Sequence, residues 1–166
     1  MKKIAFILLL LISFSSCKST KRVSTTTNKT KTANNNRSKL ASKTLKIIEN
    51  AEAYQGVRYK YGGTTKKGMD CSGLIYTAFG QENVSIPRTT ATMSKDGDWI
   101  DLKKAKEGDL LFFATKKNSR SINHVGLVVS TNPLKFIHST SSRGVIISSL
   151  KESYWYLAFV QARRFL

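Results

Sequence analysis

Apolar residues are unevenly distributed along this chain. A short, almost wholly apolar run extends from Ile4 to Phe14. Residues 18–44 then carry only Val23, Ala33, Leu40 and Ala41 as aliphatics. From Leu45 onward the apolar positions become periodic. LKIIENAEAY (45–54) predicts a helix, with Leu45, Ile48 and Ala51 on one face and Gly56 ending it. VRYKYGGTTKKG is glycine-rich and polar, and predicts a loop. Cys71 to Phe79 predicts a second helix, because Leu74, Ile75, Ala78 and Phe79 fall on one face at helical spacing. A short helix is expected over Thr90 to Lys95, after Pro87.

The remainder reads as strands: LLFFA (110–114), HVGLVVS (124–130), LKFIHS (134–139), GVIISSL (144–150) and YLAFVQARRF (156–165). Thr131-Asn132-Pro133 suits a hairpin between the second and third. Helices first and strands afterwards predict an α+β fold, with helices packed on an antiparallel sheet of five or six strands.

The opening residues change the picture of where the chain works. Lys2 and Lys3 precede the apolar run, and Ser15 and Ser16 follow it. That is the layout of an export signal. At ~1.5 Å per residue such a run reaches roughly 17 Å as helix, too short for a ~30 Å hydrocarbon core. Phe14-Ser15-Ser16-Cys17 resembles a bacterial lipobox, in which the cysteine becomes the lipidated first residue of the mature chain. Residues 1–16 are therefore expected to be a signal peptide and Cys17 an acylated anchor. Each buried CH₂ contributes ~0.8 kcal/mol to such an anchor.

Charge divides the rest. Residues 18–44 hold eight Lys/Arg and no acid, and too little apolar surface to offset the entropy of ordering. Residues 17–44 are expected to form a lipidated, basic, disordered linker, and 45–166 the single folded domain. That domain carries eighteen Lys/Arg and all ten Asp/Glu, a net charge of +8. Nucleic acid is a poor partner for an exported chain, and no recognition motif or regular basic helix is present.

Cys17 and Cys71 are the two cysteines. With Cys17 lipidated, Cys71 has no partner within the chain, and an unpaired cysteine in an oxidising compartment is a candidate reactive thiol. Asp70 can cap a helix beginning at Cys71. A thiol in a helix's first turn sits among free N–H groups at the positive end of the dipole, which favour a thiolate and a neighbouring oxyanion. The two histidines of the chain, His124 and His138, lie on adjacent predicted strands that could both face the Cys71 helix. One could take the thiol proton and the other hold it in its working tautomer. Three zinc ligands would be the competing use, but no CxxC or HExxH spacing supports it.

GVRYKYGG (56–63), DCSGLIY (70–76), IPRTT (86–90), GDLLFF (108–113), HVG (124–126) and FIHST (136–140) occur in the order of the NlpC-type cell-wall peptidases, which are papain-like cysteine peptidases. The chain resembles the small lipoprotein endopeptidases of that family. The resemblance implies Cys71 as nucleophile, His124 as base and His138 as the third, polar member. It implies Tyr59 as a donor to the oxyanion or substrate, and Asp70 and Ser72 as contacts to the substrate peptide. Arg58 stands where the family's PYxxGG motif has proline. Arg88 is expected to serve structural pairing, and Asp109 to fix a turn.

The function expected is therefore a monomeric endopeptidase that needs no metal or organic cofactor and acts on peptidoglycan stem peptides or cross-links. An amidase or acyltransferase on the same fold, or a non-catalytic wall-binding lipoprotein, are the alternatives. By analogy with lipoprotein sorting, the expected location is the periplasmic face of an outer membrane.

Overall fold

The computed structural model describes residues 26–166, with side chains from residue 35 onward. The expected signal peptide and the expected lipidation site, Cys17, lie outside the described residues. The first helix, α1, runs from Thr26 to Glu52, well ahead of the predicted start at Leu45 and through much of the expected linker. Its side chains are exposed from Asn35 to Ser42, and its first fully buried residue is Ile47. Ile47, Ile48 and Ala51 form the packed face, whereas Leu45 is exposed. Tertiary contact thus holds the C-terminal turns, and the rest extends from them. Propagating an existing helix is far cheaper than nucleating one, and Ala, Lys, Arg and Leu are good helix formers. Among the described residues no helix is long and apolar enough to cross a membrane.

The predicted loop contains a small hairpin, β1 (Thr64–Thr65) with β2 (Gly68–Met69). Helix α2 follows at Cys71–Gln81 and short helix α3 at Thr90–Met93. Strand β3 (Asp98–Ile100) was not anticipated. Strands β4 (Leu110–Phe113), β5 (His124–Thr131), β6 (Leu134–Thr140) and β7 (Gly144–Ser149) match the expected segments closely. The last predicted strand is divided. Ser153–Ala158 is helix α4, and only Phe159–Arg164 forms strand β8. In α4, Trp155 is buried while Tyr154, Tyr156 and Leu157 are exposed, a one-sided pattern that suits a helix better than a strand.

The main sheet is antiparallel, in the order β3-β8-β4-β5-β6-β7. Both of its faces are covered, so β4 is buried at every position. Leu110, Phe112, Val125, Leu127, Ile137 and Val145 pack against α1 and α2. Leu111, Phe113, Val128, Phe136 and Ala162 pack on the other face with Trp155. Fully buried Phe79 carries the apolar side of α2 into the first layer. Burial of such a side chain contributes about 1.5–3 kcal/mol.

Asp109 does more than fix its turn. Its carboxylate accepts the Lys106 amide at 2.7 Å and both Nε and Nη2 of Arg164 at 2.7 Å. This pair ties the last strand to the turn before β4, and the Asp109 bond raises the Arg164 pKa.

Candidate active site

Cys71 is the first residue of α2, and Asp70 caps the helix by accepting the Gly73 amide at 2.6 Å. The Asp70 carboxylate also accepts Gly62 N at 2.7 Å, Ser72 Oγ at 3.0 Å, and Arg88 Nη1 and Nη2 at 3.2 and 3.1 Å. Burial raises its pKa, but the Arg88 bond, the Gly73 amide and the Arg88 charge outweigh that and hold it below the usual carboxylate value. Ser72 Oγ in turn accepts Arg88 Nη1 at 2.9 Å. Asp70 and Ser72, expected to touch substrate, are thus occupied within the protein, where they fix the start of α2 to Arg88 and to the Gly62 loop. Gly73 allows the closest approach, because a Cβ there would collide with the Gly63 carbonyl.

The Cys71 sulfur is nearly buried and lies 3.6 Å from Thr90 Oγ1. The backbone N–H groups of Val125 and Ser72 are also directed at it. Burial dominates these contacts and pushes the thiol pKa up, so at neutral pH the group is a thiol. Tyr59 is half-buried in the same cleft as Cys71. Its burial, with the neighbouring Cys71 and Asp70, raises its pKa and keeps it a phenol donor.

His124 opens β5, one residue before the amide aimed at the sulfur. The two histidines meet as expected: His124 Nε2 lies 2.8 Å from His138 Nδ1. Their side of the sheet differs from the expectation. Because Val125, Leu127 and Ile137 face α2, the alternation of the strands turns His124 and His138 to the opposite layer. There His124 stacks on Trp155, with centroids 5.4 Å apart, and His138 meets the Trp155 edge at 4.6 Å. The link between the thiol and this strand is the Val125 amide, one residue after His124. No hydrogen bond joins Cys71 to His124: the sulfur meets Thr90, and His124 Nε2 meets His138. Gly126 makes the imidazole pair possible, since a Cβ there would run into the Phe136 ring and press on His138.

Burial pushes His124 down to about 4. Burial, then the charges of His124 and Arg143, push His138 down to about 3. Both rings are neutral at pH 7. Their depressed values give a stability prediction. The contribution of neutral burial is complete above the unfolded histidine pKa of about 6.5 and is lost as pH falls below it. The unfolding free energy from urea titrations should therefore fall as pH drops from 6.5 to 4, by up to about 1.4 kcal/mol per pH unit for each histidine. A flat profile over that interval would contradict the burial of both rings.

A cleft of about 510 Å³ opens over the thiol, lined by Tyr59, Tyr61, Asp70, Arg88 and Thr90. A second, of about 390 Å³, lies beyond His124 and is lined by Thr140, Arg143, Glu152, Tyr154 and Trp155. His124 lines this second cleft, and Asn123, its neighbour in the chain, lines the first. A larger cavity of about 580 Å³ lies between α1 and β8, at Leu40 and Arg164, and neither Cys71 nor a histidine lines it. Among the described residues no three His, Cys, Asp or Glu side chains converge on a metal-sized site. The partners Thr90 and Ser148, and the Trp155 platform, were not anticipated from the sequence. Their roles depend on the placement of α3, on strand register and on the fold of α4, which periodicity alone does not supply.

Comparison with known proteins agrees with this fold. The family model described as the NlpC/P60 family matches residues 56–164. The chain is 42% identical over 112 residues to the "Probable endopeptidase NlpC homolog" of Haemophilus influenzae, covering 67% of this chain and 57% of that protein. It is 37% identical over 122 residues to the "Murein DD-endopeptidase MepS/Murein LD-carboxypeptidase" of Escherichia coli K12, covering 73% and 62%. The match thus spans about six-tenths of each relative's length. Among solved structures, an NlpC/P60 family protein from Bacillus cereus superposes with a TM-score of 0.69 at 30% identity, covering 74% of this chain and 40% of that one. The NlpC/p60 domain of the peptidoglycan hydrolase SagA superposes with a TM-score of 0.61 at 26% identity, covering 72% and 97%.

Proposed function

The chain belongs to the NlpC/P60 family, and from that membership we propose that it is a peptidoglycan endopeptidase that cuts peptide bonds in stem peptides or cross-links. The observation that carries the reading is the coupling of His124 Nε2 to His138 Nδ1 at 2.8 Å, next to an amide directed at the Cys71 sulfur. The coupling leaves His124 Nδ1 as the nitrogen available to the thiol.

The chemistry follows. Cys71 gives its S–H proton to His124 Nδ1 as Sγ attacks the peptide carbonyl carbon. The oxyanion that forms is held by N–H groups of the first turn of α2 and by the Tyr59 hydroxyl. The C–N bond breaks, and the leaving amine takes the proton from His124. Water then gives a proton to His124 and attacks the thioester. Cleavage of the C–S bond releases a carboxylic acid, and the sulfur recovers its proton. His138 keeps the His124 imidazole oriented throughout.

Export and lipidation at Cys17 complete the reading, on the strength of the N-terminal pattern alone. In that arrangement the part of α1 ahead of its contacts with the domain, residues 26–36, would lengthen the tether by about 16 Å at ~1.5 Å per residue, carrying the domain away from an outer-membrane anchor towards the wall.

Purified peptidoglycan incubated with the chain should release soluble peptides whose masses identify the cut bond. Cys71→Ala should release none. If both proteins release the same products, the thiol mechanism is wrong. If neither releases any while both bind the wall, the chain is a binding lipoprotein.

A further inference from the structure

His138 is held by a group on a third strand. The ring is fully buried, and its edges and faces are covered by Phe136 at 4.7 Å and Trp155 at 4.6 Å. Each of its nitrogens has one polar partner. Nδ1 meets His124 Nε2 at 2.8 Å, and Nε2 meets Ser148 Oγ at 3.0 Å. Ser148 lies on β7, opposite Phe136 in the register and so diagonal to His138, and it is itself buried.

We propose that Ser148 is a positioning residue whose hydroxyl accepts the Nε2–H of His138, so that His138 Nδ1 can accept from His124 and leave His124 Nδ1 free as the base. The inference rests on the reading of Cys71 and His124 as the reacting pair.

A neutral imidazole carries a single N–H, so the chain Ser148–His138–His124 has two arrangements. In the first, Ser148 accepts from His138 Nε2–H, and His138 Nδ1 accepts from His124 Nε2–H. His124 Nδ1 then has a free lone pair. In the second, Ser148 donates to His138 Nε2, and His138 Nδ1–H donates to His124 Nε2. His124 then carries its proton on Nδ1 and cannot accept another there.

Only the first arrangement supports proton uptake. Once His124 Nδ1 has taken the thiol proton, both of its nitrogens are donors. His124 Nε2–H then requires an acceptor, and the partner in reach is His138 Nδ1. That forces the His138 hydrogen onto Nε2, where Ser148 Oγ is the acceptor in reach. A hydroxyl can rotate to accept or donate, whereas a methyl group can do neither. With alanine at this position, a hydrogen on His138 Nε2 would point into apolar surroundings without a partner. Moving it to Nδ1 relieves that cost and protonates His124 on the wrong nitrogen.

The chain contains two histidines, so nitrogen-15 NMR of the imidazoles is unambiguous when no histidine tag is attached. At pH 7 the labelled full chain should show both rings protonated on Nε2 and free on Nδ1. Ser148→Ala should move both hydrogens to Nδ1 and lower kcat by about tenfold or more, with KM unchanged. Ser148→Thr keeps the hydroxyl and should keep the original tautomers. A His138 hydrogen on Nδ1 in the unaltered chain overturns the proposal, and needs no variant to fold. So does a folded Ser148→Ala with the original tautomers and kcat. The tautomers are read without substrate. An inactive but correctly protonated chain would therefore count against the endopeptidase reading, not against the role of Ser148.

Discussion

His124→Gln is expected to lower kcat/KM on cross-linked muropeptides by about 10³-fold at pH 7. Glutamine keeps a hydrogen-bonding group beside His138 but cannot take a proton. The expected loss is large because the thiol receives little help elsewhere. Burial pushes the Cys71 pKa up despite Thr90 and the two backbone amides. At neutral pH the sulfur is therefore protonated, and general-base removal of that proton is the route to the nucleophile. The pH profiles should also differ in shape. In the unaltered chain, His124 loses activity only as it becomes protonated towards its value of about 4, so the rate should be level above that. In the variant the thiolate must come from solution. Its rate should climb about tenfold per pH unit until the thiol's own pKa is reached. Rate measurements from pH 5 to pH 9 on both proteins test this. Parallel profiles would mean that the thiol ionises without His124.

The strands were legible in the sequence because each is a short apolar run bounded by turn residues. Their faces were not. LLFF and HVGLVV are buried on both sides of a covered sheet, so alternation gives no sign of which side meets α2. The expectation that both histidines face the Cys71 helix failed for this reason. The position of Val125 in the α2 layer fixes His124 in the other one. The segment SYWYLA failed differently. Aromatic richness suggests a strand, but the burial of Trp155 alone among exposed neighbours reflects a helix laid over the imidazoles. Helix α1 is a third case, in which composition argued for a linker while a packed C-terminal turn extends a helix back to Thr26. The site motifs were legible because their chemistry is local: a capped cysteine and two histidines on consecutive strands. Ser148 became visible only once the register was known, and Thr90 only once α3 was placed beside Cys71.

Asp70→Ala should be the most destabilising of the site substitutions, by about 3–5 kcal/mol, with Tm lowered by roughly 10 °C or more. Its carboxylate receives the Gly62 and Gly73 amides, the Ser72 hydroxyl and both Arg88 Nη groups. Removing it strips the cap from α2 and leaves the Arg88 guanidinium, which is only partly exposed, without its counter-charge. The loss should not steepen the acid decline between pH 6.5 and pH 4. The folded carboxylate titrates below the usual range, so its contribution is present above the unfolded value and disappears only as pH falls through the lowered one. Activity should fall through kcat, because the first turn that aims Cys71 is no longer pinned to the Gly62 loop. The expectation carried by the family resemblance is different: a carboxylate that grips the substrate peptide would raise KM and leave Tm in place. Thermal melts and steady-state kinetics of the same variant separate the two. A large KM change at an unchanged Tm would return Asp70 to the substrate, and a fall in Tm with KM held would make it the clamp that sets the nucleophile.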